Sequence, residues 1–298
     1  MSRYRTVQGY RPRAYGPRGG RSLGKIRILI ALVVVAFTII SFMGKRVYNP
    51  VTGEKQFVSI TPEQEVALGL QAAPQMARQH GGAFPDRQLQ AVIDQVGWRL
   101  VKANPDILQT HPWEFEFTLL QDPQAVNAFA LPGGQTFITY ALFSKLNVQL
   151  AEAGEAQLDE AQLAGVLGHE IAHVVARHGA QRMAKDGFKQ GLIGAVVAAS
   201  GSPEIGRVAE VVGGMVGMKY SRDDELESDR LGVRFMANAG YDPRAMIDVM
   251  EVLKKAGGGK APPEFFNTHP NPANRMEKIQ AAIDELFPNG VPNDLQRN

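Results

Sequence analysis

The run Gly168-His169-Glu170-Ile171-Ala172-His173-Val174-Val175-Ala176-Arg177-His178 constrains the fold of this chain more than any other stretch. It sits in a helical pattern that opens at Asp159, where Leu163, Val166, Leu167, Ile171, Val174 and Val175 recur at helical spacing. Asp159 with Gln162 resembles a capping box at its start. The pattern reads as a buried helix, and the rest of a domain has to be organised around it. His169 and His173 are four apart, so they project from one face about one turn from each other. Two neutral imidazoles at that spacing can bind one Zn²⁺, and Glu170 sits beside any water such a metal holds. That water becomes more acidic, and an adjacent carboxylate can take its proton and later return it. Two histidines and a glutamate on an apolar helix without such a task would be costly to bury.

Cysteine is absent, which excludes disulfides, cysteine-ligated zinc, a cysteine nucleophile and a lipid anchor on cysteine. The 298 residues have room for one large domain or two small ones. A net charge of +2 hides an asymmetry: residues 1–46 hold ten Lys/Arg and no acid, which leaves 22 basic against 30 acidic residues beyond them. A body that acidic argues against nucleic-acid binding, which needs a basic face.

The basic arm leads into a candidate anchor. Residues 1–27 are rich in Arg, Gly and Pro and cannot bury a core. Ile28–Gly44 then runs for 17 residues without a charge between Arg27 and Lys45. That is close to the lower limit for a membrane span, and the flanking cations can snorkel to lengthen it. No A-x-A site follows, so the pattern reads as an uncleaved signal anchor rather than a cleaved signal peptide. Eight basic residues before it and two after it place the short tail in the cytoplasm and the bulk outside. A mitochondrial presequence is the alternative, opposed by the Gly and Pro that interrupt it.

Residues 45–60 read as a turn-rich linker, and a domain is expected over 61–288, followed by a polar tail at 289–298. Thr61, Pro62 and Gln64 mark a helix start, with helical patterns to about Gln79 and again over Asp86–Ala103. Residues 114–120 alternate as a strand, and Pro132-Gly133-Gly134 turns into a second strand from Gln135. An edge strand there could accept an extended peptide by β-addition. Gly191–Ser200 and Val208–Met218 are apolar but too short to cross a bilayer. The fold class expected is mainly α with a small β-sheet.

Two histidines leave a metal short of a protein ligand. His178 lies five residues past His173, and on an unbroken helix it would face away from the pair. Ser221–Gly232 offers a better source, because Glu225 and Asp229 share a helix face one turn apart. One carboxylate can bind the metal while the other accepts an N–H from a ligand histidine. At this point the chain resembles a known family. His169-Glu170-Ile171-Ala172-His173, then Ser221-Arg222-x-x-Glu225-x-Glu227-Ser228-Asp229 and Thr268-His269-Pro270, are similar to the HtpX- and BepA-like zinc metallopeptidases. These form family forty-eight of the metallopeptidases, with the CAAX prenyl protease and the Oma-type proteases. The segment from Asn127 to Gly134 resembles the one that precedes the site in that family.

The resemblance covers about residues 60–285 and implies a gluzincin fold. It implies one Zn²⁺ per chain on His169, His173 and Glu225, with Glu170 as general base and Asp229 supporting a ligand. It also implies protein substrates, often misfolded or membrane-associated, as in quality control. Asn127, His269 and Arg275 become candidates for substrate handling or gating; His269 could plug the metal or donate to an oxyanion. Processing of prenylated proteins is disfavoured, because the single candidate span precedes the domain. The location implied is the bacterial cell membrane with the catalytic domain outside, or else the mitochondrial inner membrane. A zinc-stabilised chaperone that binds unfolded chains without cutting them is the rival from another class.

Overall fold

The computed structural model describes residues 20–44, 46–146, 159–200, 220–257, 262–271 and 273–297. Val208–Met218, most of the basic tail, and Gly258 and Gly259 lie outside them. The order is α1 (Gly20–Met43), β1 (Arg46–Asn49), β2 (Glu54–Phe57), α2 (Pro62–Gln79), α3 (Arg87–Ala103), α4 (Pro105–Thr110) and β3 (Glu116–Leu120). Then come β4 (Ala128–Ala130), β5 (Gln135–Thr139), α5 (Tyr140–Leu146), α6 (Glu160–Val175) and α7 (His178–Ser200). The chain closes with α8 (Arg222–Asn238), α9 (Ala245–Ala256), the single turn α10 (Phe265–Thr268) and α11 (Arg275–Leu286). It is mainly helical with small sheets, as expected.

Helix α6 is the hub. Every residue from Ala161 to Val175 is buried, with α3, α8 and α9 packed around it and the small sheet against it. Asp159 caps it by accepting from the Gln162 N–H at 2.9 Å. Gly232 of α8 permits the closest approach: a Cβ there would come within 2.8 Å of Met246 Cε and 3.4 Å of the His169 backbone N. The α8 backbone therefore passes next to the residue that opens the His-Glu-x-x-His frame. Ser221 caps α8 in a reciprocal box with Asp224, which sets the turn that carries Glu225 and Asp229.

In the three-stranded sheet β5 is central, pairing parallel to β3 and antiparallel to β4. The β4–β5 pair is the hairpin expected across Pro132–Gly134. Gly133 at φ 98 and Gly134 at φ 124 make that turn, and a Cβ on Gly133 would strike the α2 backbone at Val66. β4 is left as an edge beside the His-Glu-x-x-His helix.

Two stretches differ from the expectation. The linker expected over 45–60 contains the β1–β2 hairpin, tied to α6 by the Asn49 amide, which donates to the Val175 carbonyl at 2.7 Å. The tail expected at 289–298 is anchored, since Gln296 accepts from Arg99 at 2.7 Å and donates to Glu160 at 3.0 Å. Helix α9 begins at Ala245, after a turn in which Asp242 uses its carboxylate on the Arg244 N–H and guanidinium. As for the expected span, no helix among the described residues is long and apolar enough to cross a membrane. Helix α1 lies along α7 and leaves Ile28, Leu29, Leu32, Val33, Phe37 and Ile40 exposed.

Candidate metal centre

Helix α6 presents His169, Glu170 and His173; α8 presents Glu225 and Asp229; the turn after α10 presents His269; and α11 begins with Arg275. All seven side chains are buried. His169 Nε2 and His173 Nε2 lie 3.1 Å apart. Glu225 reaches them from the next helix, with Oε2 at 3.4 Å from His169 Nε2 and Oε1 at 3.4 Å from His173 Nε2. His269 Nδ1 is 3.1 Å from Glu225 Oε1 and 3.4 Å from His169 Nε2. One ligand atom from each of His169, His173, Glu225 and His269 thus falls within 4.8 Å of every other. Phe265 stacks on His269 with ring centroids 4.3 Å apart, which fixes that ring.

The outer contacts orient these donors. His169 Nδ1 donates to Asp229 Oδ1 at 2.9 Å. Asp229 is itself held by the Arg275 guanidinium, from Nε at 2.7 Å and Nη2 at 2.8 Å. A proton on Nδ1 leaves Nε2 of His169 as a lone pair facing the cluster. Arg275 Nη1 also lies 3.1 Å from Glu225 Oε2, bracing a second carboxylate.

The charges ask for a cation. Glu170, Glu225 and Asp229 are buried against one buried guanidinium, so their ionised forms carry two uncompensated negative charges. Burial pushes the Glu170 carboxyl up, because little offsets it. Burial also acts on Glu225, but hydrogen bonds from His169, His173 and His269 hold that carboxyl well below the usual range. For Asp229 the burial penalty is outweighed by the Arg275 charge and the His169 hydrogen bond. Burial would lower His169, yet hydrogen bonds to Asp229 and Glu225 push it up to about 9. Both Glu170 oxygens are buried with no hydrogen-bond partner, as is His269 Nε2. Such orphans are rare in folded proteins, and they fit a site built for a divalent ion and its ligands.

Asn127 is not among the donors. Its amide donates to Glu264 at 3.1 Å, and the neighbouring Val126 carbonyl accepts from the Phe265 N–H, so this segment braces the turn that carries His269. His178 corrects the expectation. Helix α6 stops at Val175, Arg177 takes a left-handed φ of 57, and the chain folds back. His178 Nδ1 then lies 2.9 Å from His173 Nδ1 rather than facing away, although it is not in the donor group. Two neighbours had no role assigned from sequence: Glu227, a motif residue that lies 2.9 Å from His178 Nε2, and Tyr220, which is stacked on His173 at 4.1 Å and gave no signal.

Comparison with known proteins agrees with this geometry. The profile of peptidase family M48 matches residues 83–283. The chain is 29% identical over 278 residues to the beta-barrel assembly-enhancing protease of Escherichia coli K12, covering 87% of this chain and 53% of that protein. The protein of the same name from Yersinia pestis is 30% identical over 250 residues, covering 80% and 48%. The mitochondrial metalloendopeptidase OMA1 of Saccharomyces cerevisiae is 28% identical over 246 residues, covering 77% and 67%. The chain thus spans about half the length of the bacterial relatives. A profile match over most of the folded body, on a buried His/Glu cluster that suits a metal, shows that the chain belongs to peptidase family M48.

Proposed function

We propose that this chain is a membrane-anchored zinc endopeptidase that cuts misfolded or membrane-associated proteins. The observation that carries the reading is Glu170: a buried carboxylate with both oxygens unpartnered, next in sequence to a histidine of the donor cluster. His169, His173 and Glu225 would hold the zinc. Bound there, zinc would supply Lewis acidity, polarising a peptide carbonyl and acidifying a water. Glu170 takes the proton of the attacking water and returns it to the departing amine nitrogen. Asp229 keeps the His169 lone pair facing the metal, and Arg275 keeps Asp229 ionised. His269 lies within reach of Glu225 and 3.6 Å from Glu170 Oε1, where it would stand in the way of a substrate as a plug. The edge strand β4 beside α6 suits an extended peptide added as a further strand.

The anchor reading rests on α1, whose residues from Ile28 to Met43 carry no charge and whose large aliphatic side chains are exposed. With the basic arm on the cytoplasmic side, the catalytic body faces away from the cytoplasm, at a bacterial cell membrane or, alternatively, the mitochondrial inner membrane. Substrates of the quality-control kind are suggested by relatives whose names concern beta-barrel assembly and mitochondria.

The test is Glu170→Gln in the full-length protein. Zinc content should be retained while casein or peptide cleavage falls by about 10²-fold or more. Cleavage that persists in a contaminant-free preparation would rule out hydrolysis at this site.

A further inference from the structure

We propose that His178 is a positioning residue that fixes His173 in the tautomer a metal requires, through the hydrogen-bonded chain Glu227–His178–His173. The inference rests on the reading of His173 as a zinc ligand. The proton count along the chain carries it. The Glu227 carboxylate accepts from His178 Nε2 at 2.9 Å, so that nitrogen bears the hydrogen of a neutral imidazole. His178 Nδ1 is then a lone pair. It faces His173 Nδ1 at 2.9 Å, and two ring nitrogens at that distance share one proton, which must come from His173. A hydrogen on His173 Nδ1 leaves its Nε2 as the lone pair, and Nε2 is the atom that faces His169 Nε2 and Glu225 Oε1. The Ser228 hydroxyl lies at 3.3 Å from His178 Nδ1, a longer contact into the same lone pair.

The backbone supports this arrangement at some cost. A side-chain-bearing residue rarely takes the left-handed conformation, yet Arg177 does so at φ 57. The conformation is held from outside: Arg177 Nε donates to Glu65 Oε1 at 2.7 Å and Nη2 donates to the Ile60 carbonyl at 2.8 Å. With that turn locked, His178 is 1% exposed and its ring meets His173 with centroids 4.9 Å apart.

The two zinc-facing histidines are therefore oriented by different means. His169 uses a carboxylate directly, neutralised by Arg275. His173 uses an imidazole, and the carboxylate stands one ring further out, where Glu227 is partly exposed to solvent. Placing a fourth acid directly on His173 would add to the buried negative charge already present in Glu170, Glu225 and Asp229. The interposed ring orients His173 without that charge.

The experiment uses the full-length protein in detergent, with zinc affinity read by competition against a chromogenic chelator. His178→Ala should weaken zinc about 10–100-fold, whereas His178→Asn, whose carbonyl can accept from the same N–H, should stay within about threefold of the parent. In the zinc-free protein, ¹⁵N spectra should show His173 protonated on Nδ1 in the parent and in His178→Asn. In His178→Ala they should show a population protonated on Nε2, with His169 unchanged. Parent-like zinc affinity in His178→Ala, or an equal loss in both variants, overturns the relay alone. Should His178→Ala fail to fold, Glu227→Ala at the half-exposed end decides: a mixed His173 tautomer supports the relay, and an unchanged one overturns it. A parent that holds no zinc overturns the ligand reading, and the relay with it.

Discussion

Helices α1 and α6 are both apolar through most of their length, and they end in opposite surroundings. In α6 every residue from Ala161 to Val175 is buried, and other elements cover it on several sides. In α1 the large aliphatic side chains from Ile28 to Ile40 remain largely exposed, with α7 lying along one side. The difference lies in what the rest of the chain offers each helix. Gly165 and Gly168 of α6 face Met246 and Gly232, so neighbouring helices can come close. Among the described residues nothing comparable encloses α1. Hydropathy says that a helix must leave water; complementary surface elsewhere decides whether protein or lipid receives it.

That contrast can be broken most directly by placing the same charge in each helix. Leu167→Asp buries an unpaired carboxylate at a fully enclosed position and should cost about 4 kcal/mol or more, a large part of the stability of an ordinary domain. Phe37→Asp, at a position 72% exposed, should leave the melting transition of the folded body within about 2 °C. If α1 is the proposed anchor, the same change should move the protein out of the membrane pellet. A Leu167→Asp as stable as the parent, or a Phe37→Asp that melts early, would show that the two helices are not different in kind.

A smaller effect sharpens the packing half of the comparison. In Gly232→Val the new side chain meets Met246 and the His169 backbone, so α8 must withdraw from α6. Overpacking of this sort should cost about 1–3 kcal/mol in denaturant titration. Because α8 carries Glu225 and Asp229, zinc content should fall with it. Loss of stability with full zinc occupancy would show that the helix contact and the ligand geometry are independent.

The smallest expected effect concerns how rigidly each imidazole is delivered. His169 and His173 come from the enclosed helix, whereas His269 comes from a single helical turn flanked by Pro263 and Pro270. As a plug, His269 should give way, and His269→Ala should raise basal cleavage of a flexible peptide severalfold with zinc retained. As an oxyanion donor, it should instead lower turnover by about 10²-fold on removal. Kinetics and zinc content both equal to the parent's would leave His269 as a packing residue.

Local chemistry made much of the architecture legible. The α6 periodicity, the Thr61 and Asp159 caps and the Pro132–Gly134 turn each depend on residues within a few positions of one another, so they can be read along the chain. The same holds for His169, Glu170 and His173, which share a helix face by spacing alone. Glu225 was different: its helix was visible as a source of the missing ligand, but the choice of Glu225 over Asp229 came only with the family resemblance, because the contact spans more than fifty positions. Asp229 carried two alternatives, and its hydrogen bond to His169 favours the supporting one.

What the sequence by itself determined, then, is an enclosed helix bearing two histidines and a glutamate, an acidic helix able to complete a metal site, and an apolar segment behind a basic arm. Only the tertiary structure decided where His178 goes, since nothing marks Arg177 as the residue that turns left-handed. Arginine carries none of the freedom of glycine, and the conformation is stabilised by Glu65 and Ile60, more than a hundred positions away. The tertiary structure likewise turned 46–57 into a hairpin, through Asn49 on the last carbonyl of α6, and set Arg275 between Asp229 and Glu225. Periodicity and capping energies act over one or two turns, so sequence records them. The partners of a buried charge or an imidazole proton are chosen by which elements meet in space, and that choice exists only once the core has closed.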